Sequence, residues 1–462
     1  MRTAYSVETV RAAEHELMAR LPEGTLMRRA AAGLAAVCAG LLGRVYGARV
    51  VLLVGPGDNG GDALYAGARL ARRGAGVTAV PMDPQRMHPG GLAALRGAGG
   101  TVAAAVPVRA DLVVDGLLGI GGRGGLRPPA AALVERIPAG AVVVAADLPS
   151  GVDADTGEVA VAAVRADVTV TFGAYKPGLL IDPGAERAGA VRLVDIGLAL
   201  PAPDAQALQH ADVARLLPEP GAASDKYRRG VVGIVAGSAR YPGAAVLAVA
   251  GALRGGAGAV RYVGPAAVGQ AVLARYPETL IGRGRVQAWV IGPGLGDERG
   301  PEVLADPVPV LVDADGLRGL DPGAVRARTA PTLLTPHAGE AAALLGVRRE
   351  EVEAGRLAAV RALARRYGAT VLLKGSTTLV CDGGVVRVNP TGTPWLATAG
   401  SGDVLSGLAG SLLAAGLSAP DAASVAAYLH GLAARRAASG APLLAHEVAE
   451  ALPSAWRDVR TP

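Results

Sequence analysis

One pattern constrains the fold of this chain more than any other: a short run of β-branched and aliphatic residues that stops at glycine and a polar side chain, again and again. Val50-Val51-Leu52-Leu53-Val54 runs into Gly55-Pro56-Gly57-Asp58-Asn59-Gly60-Gly61-Asp62, and a helical pattern follows from Ala63 to Arg73. Leu112-Val113-Val114 ends in Asp115 and then Gly119-Ile120-Gly121-Gly122-Arg123-Gly124-Gly125. Ala141 to Ala146 ends in Asp147-Leu148-Pro149-Ser150-Gly151-Val152-Asp153. Continuous apolar strands of this kind suit a parallel sheet covered on both faces. In an open α/β sheet such strand ends converge on one crevice.

The pattern returns in the second half. Val231 to Val235 leads to Ala236-Gly237-Ser238 and a helix over Gly243 to Leu253. Later strands end in Gly292-Pro293-Gly294-Leu295-Gly296, Asp313-Ala314-Asp315-Gly316 and Thr335-Pro336-His337. Val371-Leu372-Leu373 runs into Lys374-Gly375-Ser376-Thr377-Thr378, and Ala399-Gly400-Ser401-Gly402-Asp403 opens a helix buried through Leu405, Leu408, Leu412 and Leu413. Between the halves, residues 198–224 are rich in Ala and Pro and hold no strong strand. At 462 residues the chain is too long for one ordinary core, and 51% apolar residues can fill more than one. We expect a first domain over 1–205, a linker over 206–224 and a second domain over 225–462. Residues 4–45 read as helical, with Ala30 to Leu42 packed in a core.

Composition narrows the function. The net charge of +6 comes from scattered arginines without interleaved aromatics, which speaks against a nucleic-acid surface. Arg2, Glu8, Arg11 and Glu14 do not form a signal peptide, and the uncharged run Val404 to Pro420 is too short and polar to span a membrane comfortably. A cytoplasmic protein with no membrane partner is expected. Cys38 and Cys381 read as buried free thiols in a reducing compartment. His446-Glu447 lacks the second histidine of a zinc-binding helix.

The strand ends carry the chemistry. Glycines let the amides of a helix start face an anion, and an acid in that first turn sits where a proton leaves a nucleophilic hydroxyl. Gly400 to Asp403 therefore suits phosphoryl transfer, although a lone Gly-x-Gly-Asp more often caps a core helix. Lys374 with the hydroxyls after it would hold nucleotide phosphates. His337, Asp313 and Asp315 taken singly read equally well as helix caps. In the first half the glycine loop is neither the usual dinucleotide fingerprint nor a P-loop, and Asp58, Asn59 and Asp62 add side-chain oxygens. Asn59, Asp115 and Ser150 would share a cation that prefers oxygen, with Asp147 acting on a substrate. Any one of these acids alone is better explained as a cap; three such loops in register favour the shared crevice.

With these motifs in order, and with Phe172 to Leu179 (Phe-Gly-Ala-Tyr-Lys-Pro-Gly-Leu), the first 200 residues closely resemble the NAD(P)H-hydrate epimerase family. The resemblance implies a Rossmann-like three-layer domain that interconverts the R and S epimers of hydrated NADH and NADPH. It implies potassium on Asn59, Asp115 and Ser150, and substrate on Asp58, Asn59, Gly60, Gly61 and Asp62. Substrate also falls to Gly119, Ile120, Gly121, Gly122, Arg123, Gly124 and Gly125, and to Asp147 as a catalytic residue. Asp58, Ala63 and Ile120 depart from the commoner Asn, Gly and Thr. Residues 225–450 resemble the ADP-dependent NAD(P)H-hydrate dehydratase family of the ribokinase-like α/β superfamily. The carrying features are Lys226-Tyr227-x-x-Gly230, Tyr241 to Ala245, Pro277-Glu278-Thr279, Gly292 to Gly296, Thr335-Pro336-His337-x-Gly339-Glu340, Lys374-Gly375 and the closing Gly-Ser-Gly-Asp. This resemblance implies the hydrate on Ala245, Gly294, His337 and Asp403, with Asp403 catalytic. It implies ADP on Lys374, Gly375, Ser376, Thr377, Thr378 and Gly402, with magnesium. Asp225 and Ser401 stand where His and Thr are usual. A homo-oligomer acting on NADHX, NADPHX and ADP is expected. The rival reading is a vitamin kinase of the same superfamily fused to a nucleotide-sensing module.

Overall fold

The computed structural model describes residues 1–122, 124–297 and 303–461. Contacts divide it into two compact units, Thr3–Asp204 and Ala205–Pro462, the latter with Met1–Arg2.

In the first unit seven parallel strands run in the order Thr101–Val102, Gly76–Pro81, Arg49–Val54, Leu112–Gly116, Val142–Ala146, Val168–Phe172, Ala190–Val194. Strand order reverses beside Arg49–Val54 and Leu112–Gly116, the place where ligands bind in doubly wound sheets. The stretch read as helical over 4–45 holds two helices, Val7–Met18 and Thr25–Leu42, and follows a strand, Arg2–Ala4. Gly24, at φ +71°, separates the helices, a backbone state that glycine adopts without strain. Thr25–Leu42 has the length and apolar composition of a membrane span. Its Ala31, Leu34 and Cys38 are nevertheless fully buried in the core of this unit. The glycine loop is also more helical than expected: the helix begins at Asp58, not Ala63, and runs to Arg72. A Cβ on Gly60 would lie 2.2 Å from the Gly55 carbonyl oxygen, so the tight strand-to-helix turn depends on that glycine.

In the second unit parallel strands run from Leu280–Ile281 through Ala259–Val263, Val231–Val235, Ala288–Ile291, Val310–Val312 and Thr332–Leu334 to Thr370–Leu373. An antiparallel pair, Thr378–Cys381 and Val386–Asn389, extends the sheet, and Ala205–Ala207 joins it parallel to Val386–Asn389. The stretch 198–224 is therefore not strandless. It carries that strand and the helix His210–Leu216, both within the second unit; three-residue edge strands leave little period to read. The helices Pro242–Arg254 and Ser401–Ala414 pack backbone to backbone. A Cβ on Gly407 would sit 1.9 Å from the Ala248 carbonyl oxygen, and one on Gly251 2.1 Å from that of Val404. Cys38 and Cys381 are both buried and unpaired with each other.

Candidate active sites

The first crevice opens at the reversal point of the first sheet. Asp115 ends its strand wholly buried. Its Oδ1 accepts from Ser150 Oγ at 2.6 Å, and its Oδ2 from the Ser150 amide at 2.8 Å. Ser150 Oγ accepts from the Leu118 amide at 2.8 Å, and Asn59 Nδ2 donates to the Leu118 carbonyl at 3.0 Å. Burial lifts the Asp115 carboxyl to about 6, against the hydrogen bonds that favour its anion. Asn59, Asp115 and Ser150 thus meet around one backbone segment. The side-chain oxygens and the Leu118 carbonyl make an oxygen-only donor set with one buried carboxylate, the chemistry of a hard cation site. Among the described residues no group of three or more His, Cys, Asp or Glu side chains is placed to hold a metal ion.

Asp147 lies just past the next strand at φ +63°, a left-handed conformation costly for a side-chain-bearing residue. Its Oδ1 accepts from Lys176 Nζ at 2.5 Å, Thr171 Oγ1 at 3.1 Å and the Phe172 amide at 3.1 Å. Lys176 is buried, and its Nζ also reaches Thr171 Oγ1 and the Phe172 carbonyl. A cavity of about 790 Å³ is lined by Glu14, Arg28, Asp58, Asp62, Tyr65 and His88 among others. Gly61 packs behind its wall, since a Cβ there would come within 3.0 Å of Met27 and 3.1 Å of the His88 ring. Gly119 abuts the Asn59 side chain and Gly121 lies beside the Arg11 guanidinium, while Ile120 packs against the N-terminal segment. Gly124 and Gly125 take positive φ; Arg123 lies outside the described residues. Sequence reasoning did not single out Glu14, Lys176 or His88. Lys176 stood inside a quoted motif and was within reach; the helix bearing Glu14 and the loop bearing His88 come to the crevice only through tertiary folding.

The second crevice gathers around Lys374, which ends the strand Thr370–Leu373. Its Nζ lies 2.7 Å from Asp313 Oδ1 and 3.7 Å from Glu340 Oε2. Asp313 Oδ2 accepts from Ser406 Oγ at 2.6 Å. Desolvation works against the Lys374 ammonium, but Asp313 and Glu340 outweigh it and hold the group above its ordinary value. Gly400, at φ +89°, starts the helix that carries Asp403 in its first turn. A Cβ on Gly402 would lie 3.4 Å from Lys374 Nζ, so the lysine faces the opening of that helix. Burial first, and Asp313 second, push the Asp403 carboxyl up to about 7, with Lys374 opposing. Gly375 to Thr378 form a turn closed by Thr378 Oγ1 on the Gly375 carbonyl at 3.2 Å. Beneath it the buried Arg356 donates to the carbonyls of Lys374 at 3.0 Å and Thr377 at 3.1 Å. Nothing in the sequence marked Arg356, which opens a separate helix.

Gly294 comes beside Ala244 and Ser238, whose Oγ donates to the Gly294 carbonyl at 2.9 Å; Ala245 is fully buried against Gly237. His337 is a helix cap: its Nδ1 accepts from the amides of Gly339 and Glu340 at 3.0 and 3.1 Å, and Glu340 returns a bond to the His337 amide at 2.7 Å. The same ring lines a cavity of about 360 Å³ with Asp315, Arg318 and Glu340. His430, unremarked in the sequence, is buried behind the Gly400–Asp403 turn with Nε2 2.9 Å from the Ser401 carbonyl. Burial pushes it down to about 4, so it is neutral.

Two family models match the chain: a YjeF-related protein N-terminus over residues 23–178 and an NAD(P)H-hydrate dehydratase over residues 232–454. A bifunctional NAD(P)H-hydrate repair enzyme of Mycobacterium leprae is 50% identical, the match covering 95% of both chains. Another from Corynebacterium glutamicum is 37% identical over 99% of both. Among solved structures, an ADP/ATP-dependent NAD(P)H-hydrate dehydratase from Bacillus subtilis, co-crystallised with ATP and Mg2+, is 30% identical with a TM-score of 0.51. It covers 56% of this chain and 100% of its own. A ribokinase-like protein from Enterococcus faecalis, 23% identical with a TM-score of 0.51 over 57% of this chain and 99% of its own, shares the fold. Two crevices on two separate sheets, each with its own family match and both spanned by full-length relatives, lead to one conclusion: the chain belongs to the bifunctional NAD(P)H-hydrate repair enzyme family.

Proposed function

We propose that the first unit interconverts the R and S hydrates of NADH and NADPH, and that the second dehydrates the S form while converting ADP to AMP and phosphate. The observation that carries this reading is the meeting of Lys374, Asp313 and Asp403 at the glycine-opened start of Ser401–Ala414. Hydroxide leaves a ring carbon poorly and phosphate leaves it well. Asp403 takes the proton of the ring hydroxyl as its oxygen attacks the terminal phosphorus of ADP, and AMP departs. Lys374 and the amides of Gly400 and Gly402 balance the charge that builds on the transferred group. Phosphate then leaves with the electrons of the ring nitrogen behind it, and loss of a neighbouring ring proton restores the reduced nicotinamide. The Gly375–Thr378 turn, held from below by Arg356, receives the nucleotide. The Bacillus relative crystallised with ATP and Mg2+ supports a magnesium-bound nucleotide as co-substrate.

In the first unit Asn59, Asp115 and Ser150 would hold potassium, which would supply a fixed positive charge near a substrate phosphate. Asp147, oriented by Lys176 and Thr171, faces the reacting ring. The test is incubation of the full chain with both epimers of hydrated NADH and with ADP, following the absorbance of recovered NADH. Recovery of both epimers is expected. Recovery of the S form alone would remove the epimerase half of the reading, and a stable phosphorylated product without NADH would make the second unit a kinase.

A further inference from the structure

Asp62 presents a chemistry that the binding loop around it does not require. It sits on the second turn of the helix Asp58–Arg72, is 8% exposed, and lines the large cavity of the first unit. Its buried Oδ1 has no hydrogen-bond partner among the described residues. Asp147, by contrast, has its Oδ1 occupied by Lys176, Thr171 and the Phe172 amide. Buried polar atoms without partners are rare and call for a reason.

We propose that Asp62 is the general acid of the epimerisation, resting on the reading of the first unit as the epimerase. Asp62 gives its proton to the ring hydroxyl, and the carbon–oxygen bond breaks as the ring nitrogen forms a double bond to that carbon. Water leaves. A water then adds to the other face, Asp147 takes its proton, and exchange with solvent returns both acids to their starting states. No oxidant or reductant takes part. The second unit makes the same hydroxyl a leaving group by phosphorylation; here protonation does it.

The surroundings favour a held proton. Desolvation, then Asp147, Asp58 and Glu14, raise Asp62 well above the usual carboxylate range. The charged and titratable groups around this cavity are Asp58 on its own helix, Glu14 and Arg11 on Val7–Met18, Glu23 just before the next helix and Arg28 on it, Tyr65, His88, and the Lys176–Asp147 pair. Glu14 is itself raised by burial and by Asp147, so a second acid on this wall also favours its neutral form.

Asp62→Asn keeps the shape and removes the proton. We expect epimerisation by this variant of the full chain to fall by about a hundredfold or more in kcat, with KM little changed. ADP-dependent recovery of the S hydrate by the same molecules should be unaltered. In wild type kcat/KM for epimerisation should fall as pH rises through the raised Asp62 value, and in heavy-oxygen water the inverted product should carry the heavy isotope. An Asp62→Asn rate near wild type, or a product that retains the substrate's oxygen, overturns the assignment. Should the variant fold poorly, Asp62→Glu, which returns a titratable carboxyl to the cavity, should keep far more activity than Asp62→Asn, and an equal loss in a folded Asp62→Glu overturns the assignment. A wild type that does not epimerise at all would instead overturn the reading of the unit.

Discussion

The two crevices differ in how a lysine meets their buried carboxylates. In the first, Asp62 lies within electrostatic reach of Asp147, Asp58 and Glu14, and the buried lysine, Lys176, is committed to Asp147. In the second, Lys374 is bound to Asp313, and Asp403 stands beside the pair at about 7. Burial first and neighbouring carboxylates second raise both Asp62 and Asp403; only at Asp403 does a lysine oppose the rise, leaving it near neutrality where it can take a proton up. On the proposed roles, one sheet edge gives a proton to a hydroxyl and the other removes one.

The largest expected effect separates the two outright. Asp403→Asn should lower ADP-dependent dehydration by roughly a hundred- to ten-thousandfold, the range for loss of a general base, and leave epimer interconversion alone. Coupled assays on one preparation check it; undiminished dehydration would end the comparison.

Lys176→Met tests the first crevice through stability. It leaves the Asp147 carboxylate buried without its cation, which typically costs about 3–5 kcal/mol. Thermal unfolding should show the first unit melting earlier and the second unchanged. Adding Asp147→Asn to that variant should recover part of the loss, because no uncompensated charge is then buried.

The pH dependence sharpens the contrast. Asp403 must be ionised to act, so dehydratase kcat/KM should climb as pH rises through about 7 and level off above it. Asp62 must be protonated, so the epimerase limb should run the other way. His430 adds a stability effect in the second unit. Its folded value of about 4 lies below the ordinary 6.5, so its contribution is full above pH 6.5 and is lost as pH falls toward 4. Two activity limbs of the same sign would break the contrast.

Much of this was legible before folding because strand ends in a parallel sheet are short-range features. Val50–Val54 and Val371–Leu373 announce their strands by β-branching, and the polar residue after each is carried to the crevice by topology alone. Asn59, Asp115, Ser150 and Lys374 were singled out that way, and Asp403 from its glycine-rich helix start. Arg356, His430 and Glu14 were not, because each acts from a helix whose own sequence period explains its presence. What places Arg356 under the Lys374 turn is the packing of a whole helix against a strand. The start of the helix at Asp58 was missed for a related reason: glycines read as loop, yet Gly60 is needed because the helix begins so close to Gly55. The strand Ala205–Ala207 was hidden by brevity.

His337 offers the finest distinction. The family pattern gives it to the substrate, while its Nδ1 is occupied by the amides of Gly339 and Glu340. Loss of such a cap in His337→Ala should cost about 1 kcal/mol, a fall of about 2–4 °C in the melting of a unit this size. Asn is a strong cap, so His337→Asn should restore most of that stability. The ring also lines the cavity shared with Asp315 and Arg318, and Asn is too short to reach into it. KM for the S hydrate should therefore stay raised severalfold in His337→Asn although its melting has recovered. If KM and melting recover together, the histidine works by capping the helix that aims Glu340 at Lys374, and the hydrate is held by other groups.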